Sequence, residues 1–137
     1  MAYMNQERKQ AKAPAIKAVL KKYDVKGSLS VRGHSTLVLT LKSGKIDFIG
    51  NSNRVCGSSN YQVSRGFRPN TSGYCDVNPY WFKEHYDGKA LSFLKEVFAI
   101  MNDGNHDNSD IQSDYFDVGW YSDVNIGKWN KPYVIEG

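Results

Sequence analysis

Cysteine, histidine and proline are scarce in this chain: two, three and four residues among 137. The two cysteines, Cys56 and Cys75, have no C-x-x-C spacing, so a thiolate-rich zinc site is excluded and free thiols are expected. No apolar run approaches the roughly 20 residues that a membrane helix needs. The first twelve residues are polar and basic and lack the apolar stretch of a secretory signal. The expectation is therefore a protein of the cytoplasm with no membrane partner. G-x-S-x-G, the P-loop and a G-x-G-x-x-G in strand–helix context are all missing, and with them three routes to nucleophilic or nucleotide chemistry. No cofactor is expected.

Charge is plentiful but segregated. Residues 1–68 hold thirteen Lys and Arg against three acids, a balance of +10. The remainder holds five against eleven, a balance of −6. From Asp103 to Asp123 there are six Asp and neither Lys nor Arg. A basic half suits phosphate or an acidic protein surface, and an acidic segment suits a cation or a basic partner. Attraction between the two halves within one fold is the plainer alternative.

Periodicity supplies the elements. Ile16, Val19, Leu20 and Tyr23 form a helical stripe, which predicts a helix from about Asn5 to Tyr23, kinked or restarted at Pro14. Ser28–Arg32 and Thr36–Lys42 alternate about Gly33-His34-Ser35 and predict a hairpin. Ile46 and Phe48 flank Asp47 as a third strand. Residues 50–77 are rich in Gly, Ser and Asn and read as a long irregular loop. Asn78-Pro79 opens a short helical turn, and Asp87 caps a second main helix over 89–102. Alternation then predicts a strand over 115–126. Phe116, Val118, Trp120, Ser122, Val124 and Ile126 lie on one face, with Tyr115, Asp117, Tyr121 and Asp123 on the other. The sum is a single α+β domain, residues 1–137. It has a small antiparallel sheet of three to four strands and two main helices packed on one face.

Three surfaces are candidates for function. The first is the outward parity of the last strand with the loop before it: Asp107, Asp110, Asp114, Tyr115, Asp117, Tyr121 and Asp123. Its alternative is an uncommitted solvent face. The second is basic: Lys9, Lys12, Lys17 and Lys21 on the first helix, with Arg54, Arg65 and Arg68 interleaved with aromatics in the long loop. That composition suits single-stranded nucleic acid and equally an ordinary protein-binding loop. The third is the aspartate cluster as a metal-dependent enzyme site. The EF-hand ligand pattern fails when started at Asp103 or Asp107, and His106-Asp107 lies in a loop, so no metal is expected. A Cys–His pair using Cys56 or Cys75 has no support in the spacing.

Two segments, Lys17–Phe48 (KAVLKKYDVKGSLSVRGHSTLVLTLKSGKIDF) and Gly104–Tyr133 (GNHDNSDIQSDYFDVGWYSDVNIGKWNKPY), resemble the large polyvalent protein-associated domains of phages and plasmids. The resemblance implies a mobile-element protein at work in a host cell, against host defences or on incoming DNA. It carries no catalytic residues. The expectation is a non-enzymatic accessory protein that binds a host macromolecule, a host protein before nucleic acid. Nucleic-acid binding and a metal-dependent enzyme are the alternatives.

Overall fold

A computed structural model describes residues 3–59, 63–66, 68–105 and 119–136. The first helix, α1 (Gln6–Lys22), starts at Asn5, whose side chain accepts a hydrogen bond from the Arg8 N–H. Pro14 lies inside one continuous helix. Ile16, Val19 and Leu20 are buried as the stripe predicts.

Strands β1 (Val25–Arg32) and β2 (Thr36–Gly44) form the expected antiparallel hairpin. A bulge between Lys26 and Gly27 shifts the register. Gly27 is required there, since a Cβ would stand 2.7 Å from the Thr40 carbonyl oxygen.

The third strand expected at Ile46–Phe48 is not formed. Asp47 instead caps α2 (Phe48–Gly57), accepting from the Gly50 N–H at 2.8 Å. A three-residue alternation is too short to prevail over an Asp placed to cap a helix. The irregular loop is likewise shortened at both ends, by α2 and by strand β3 (Cys75–Val77). After β3, the Asn78 side-chain oxygen accepts from the Tyr80 and Trp81 N–H groups and leads into α3 (Phe82–His85). Helix α4 (Gly88–Met101) follows and buries Ala90, Phe93, Leu94, Val97, Phe98 and Met101. Strands β4 (Tyr121–Ile126) and β5 (Val134–Ile135) complete the fold.

The molecule is α+β, and its sheet has five strands in the order β1-β2-β4-β3, with β5 on β2. It is mixed rather than purely antiparallel, because β4 and β5 run parallel to β2. A parallel neighbour requires a crossover connection, here the chain through α2, β3, α3 and α4. One sheet face carries Leu37, Leu39, Leu41, Val124 and Ile126, all fully buried with Ile16, Phe93, Leu94, Val97 and Met101 of the helices. The other face carries Ser28, Ser30, Arg32, Tyr121, Asp123 and Asn125, exposed or half-buried. The expected parity of the last strand therefore holds over 120–126; the predicted residues 115–118 lie outside those described.

Candidate binding groove at the edge of strand β4

The direction of each β4 peptide group follows from its pairing with β2. Tyr121 N–H donates to the Ser35 carbonyl and Gly127 N–H to the Leu41 carbonyl, so odd-numbered residues bond toward β2. Even-numbered residues then present N–H and C=O to the opposite side. There, Val124 and Ile126 meet Val77 and Cys75 of β3. Continuing that register sets Pro79 opposite Ser122. Proline has no N–H to give, so the ladder stops and the chain turns away into α3.

One position further, Trp120 has a partner of another kind. The Asn105 side-chain carboxamide accepts from the Trp120 N–H at 3.0 Å and donates to the Trp120 carbonyl at 2.8 Å. A single side chain thus reproduces the two bonds of a neighbouring strand. Between it and β3, the Ser122 N–H and C=O carry no partner among the described residues.

This gap opens into a groove of about 550 Å³. Its walls include Arg32, Tyr80, Asn102, Tyr121 and Asp123. Arg32 and Asp123 are ion-paired across β2, a span that covers Thr36 and Val38 and leaves them buried. Tyr80 is 74% and Tyr121 44% exposed, with Trp81 beside Tyr80 in sequence at 56%. On the helix side, the Ser122 hydroxyl donates to the Asn102 side-chain oxygen at 2.7 Å.

The groove floor is held firmly. Trp120 Nε1 donates to the Met101 carbonyl at 2.9 Å, and Arg8 and Lys12 lie 5.5 Å and 5.1 Å from the centre of its ring. Lys12 Nζ donates to the Ile100 and Asp103 carbonyls at the end of α4. Burial lowers its pKa, while Asp103 opposes that shift.

Of the residues expected on the acidic surface, Tyr121 and Asp123 stand together in this groove. Asp107, Asp110, Asp114, Tyr115 and Asp117 lie outside the described residues. The basic set is not gathered at one place. Lys12 is occupied at α4, Arg54 on α2 pairs with Asp87, and Lys17 and Lys21 are exposed on α1 with Lys9 half-buried. Arg65 is exposed and Arg68 lines a separate small pocket. The Arg54 guanidinium holds Asp87 below the usual carboxylate range, aided by Asn51. No group of three or more His, Cys, Asp or Glu gathers as a metal site among the described residues. No helix among them is long and apolar enough to cross a membrane.

That second pocket, about 180 Å³, is lined by Cys75, His85 and Tyr86 among others. Both cysteines are free thiols. Burial pushes the Cys75 thiol up, away from the thiolate that nucleophilic chemistry needs. It pushes the Tyr86 hydroxyl up as well. Within it the Tyr86 hydroxyl lies 3.7 Å from Cys75 Sγ, and the Ser52 hydroxyl on its wall lies 3.9 Å from Cys56 Sγ.

Sequence reasoning missed Arg32, Tyr80, Asn102, Asn105 and Ser122. A signal existed for Ser122, a hydroxyl on the inward parity of an otherwise apolar strand. Asn105 left no signal, because its role depends on where α4 ends relative to β4. No family model, no curated protein and no solved structure matches this chain.

Proposed function

We propose that this protein works by binding a partner protein at the β4 groove and the polar sheet face beside it, without catalysis. The observation that carries the reading is the exposed aromatics Tyr80 and Tyr121 lining the same groove as the Arg32–Asp123 pair. Broad, rigid aromatic side chains beside an arginine are the composition of interface hot spots. Tyr121 is mounted on β4, whose inward Val124 and Ile126 are fully buried, and Tyr80 on the Asn78-capped turn into α3, so little ordering cost accompanies binding. The sequence resemblance in Lys17–Phe48 and Gly104–Tyr133 supports the setting: an accessory protein of a mobile element acting on a host protein in the host cytoplasm.

The test is capture from bacterial lysate, identification of the retained protein, and titration of that purified protein. Tyr80→Ala with Tyr121→Ala should weaken the complex by tenfold or more, on the order expected for hot-spot residues. Retention that survives this double substitution, or a salt-sensitive shift of DNA lost on Lys17→Ala with Lys21→Ala, would overturn the reading.

A further inference from the structure

The groove contains one incomplete step in an otherwise complete hydrogen-bond ladder. Along the outer edge of β4 the even-numbered residues run Trp120, Ser122, Val124, Ile126. Trp120 is satisfied by a carboxamide, and Val124 and Ile126 by β3. Ser122, 7% exposed, lines the groove, and its backbone N–H and C=O, turned away from β2, have no partner among the described residues. The gap is one residue wide. Asn105 closes it at one end, and Pro79 with the turn into α3 closes it at the other.

The chemistry that fits is narrow. The occupant must accept from an N–H and donate to a C=O a few ångströms apart, which an amide does through two separate atoms and an ionised carboxylate or an ammonium does not. An extended strand has no room to pair with β4 beyond this one residue. A side-chain carboxamide has room, and the molecule contains the precedent next door: Asn105 makes the same two bonds to Trp120 at 3.0 Å and 2.8 Å. Tyr80 and Tyr121, both exposed, supply flat walls against which a planar amide can lie.

We infer that the Ser122 position binds the primary carboxamide of an asparagine or glutamine side chain carried by the partner. This deepens the proposed function and rests on it for the choice of groove. The carboxamide sits edge-on to β4, its oxygen accepting from the Ser122 N–H and its nitrogen donating to the Ser122 carbonyl. Two such bonds in an open groove make an anchor within a larger contact, not a tight site alone.

The experiment is nuclear magnetic resonance on the full chain. In the free protein, the Ser122 amide should exchange with solvent far faster than those of Trp120, Val124 and Ile126. N-acetyl-glutamine methylamide should then shift the Ser122 amide signal saturably, with smaller shifts at Tyr80 and Asn102. N-acetyl-alanine methylamide, which offers backbone amides only, should not. Ser122→Ala keeps the backbone donor and should retain the response, whereas Ser122→Pro removes the donor and should lose it. A Ser122 amide as protected as that of Val124 in the free protein overturns the inference. So does an equal response to both probes, or no saturable response. If Ser122→Pro does not fold, wild-type exchange and the comparison of probes decide. A partner captured by the wild-type protein but indifferent to Ser122→Pro would remove the carboxamide anchor and leave the binding function standing.

Discussion

The carboxamide of Asn105 clasps the peptide of Trp120, accepting at 3.0 Å and donating at 2.8 Å. This contact ties the turn after α4 to the start of β4. It also sets one boundary of the groove.

Asn105→Ala should therefore loosen the strand start. Loss of two hydrogen bonds to half-buried backbone costs about 1–3 kcal/mol, measured as a drop in the urea midpoint at unchanged slope. Asn105→Asp should lose stability too at neutral pH, since a carboxylate accepts from the Trp120 N–H but has nothing to donate to its carbonyl. Equal stability of all three proteins would show that the clasp is not holding the strand.

Lys12→Met separates two roles of one side chain. The thioether stem still covers the Trp120 ring, but the bonds from Nζ to the Ile100 and Asp103 carbonyls are gone. The end of α4 should fray, at a cost of about 1 kcal/mol for a cation removed from a helix C-terminus. Hydrogen exchange at the last turn of α4 should accelerate more than at its centre. Lys12→Ala should cost more than Lys12→Met, because it uncovers the ring as well.

Alkaline pH should unfold the protein in concert with tyrosine ionisation. Burial raises the folded pKa values of Tyr86 and Tyr133 above the ordinary 10.0. The folded state then holds protons that the unfolded chain releases. Their contribution is complete below about pH 10 and declines as pH climbs from there toward the folded values. Phenolate absorbance should show a late fraction of tyrosines that titrates together with loss of the circular dichroism signal. Tyr86→Phe should make the alkaline decline shallower.

Gly127→Ala should be the most damaging small substitution near the groove strand. Gly127 has φ +69° and its Cβ would stand 2.6 Å from the Tyr133 nitrogen, a backbone atom that cannot step aside. Strain in the left-handed region alone costs roughly 1–2 kcal/mol, and the clash adds to it. A fall in thermal midpoint of several degrees is expected. Gly66→Ala, at φ +83° in open space, should cost less.

Period was legible where it ran long. The stripe of Ile16, Val19 and Leu20, the alternation of Leu37, Leu39 and Leu41, and the inward Val124 and Ile126 could all be read from the chain, and each is buried. Helix α2 was not legible, because its Gly, Ser and Asn are weak helix formers and Asp47 alone marked its start. The parallel pairing of β2 with β4 was equally hidden, since alternation gives the face of a strand but neither its neighbour nor its direction. Of the groove, Tyr121 and Asp123 were readable as outward residues of β4. Arg32, Pro79, Tyr80, Asn102 and Asn105 come from other parts of the chain, and proximity across a fold leaves no local trace.

The arrangement of β2 has a consequence for how the chain assembles. Its hairpin partner is at hand within a few residues, but Thr36 meets Tyr121 about 85 residues downstream. During synthesis the hairpin therefore emerges with one flank bare, and the leucines of its inner face wait for α4 as well. Such distant closure slows folding and exposes a sticky intermediate to its neighbours. A ribosome paused before β4 should hold a chain that chaperones recognise, and release of the next twenty or so residues should end that recognition.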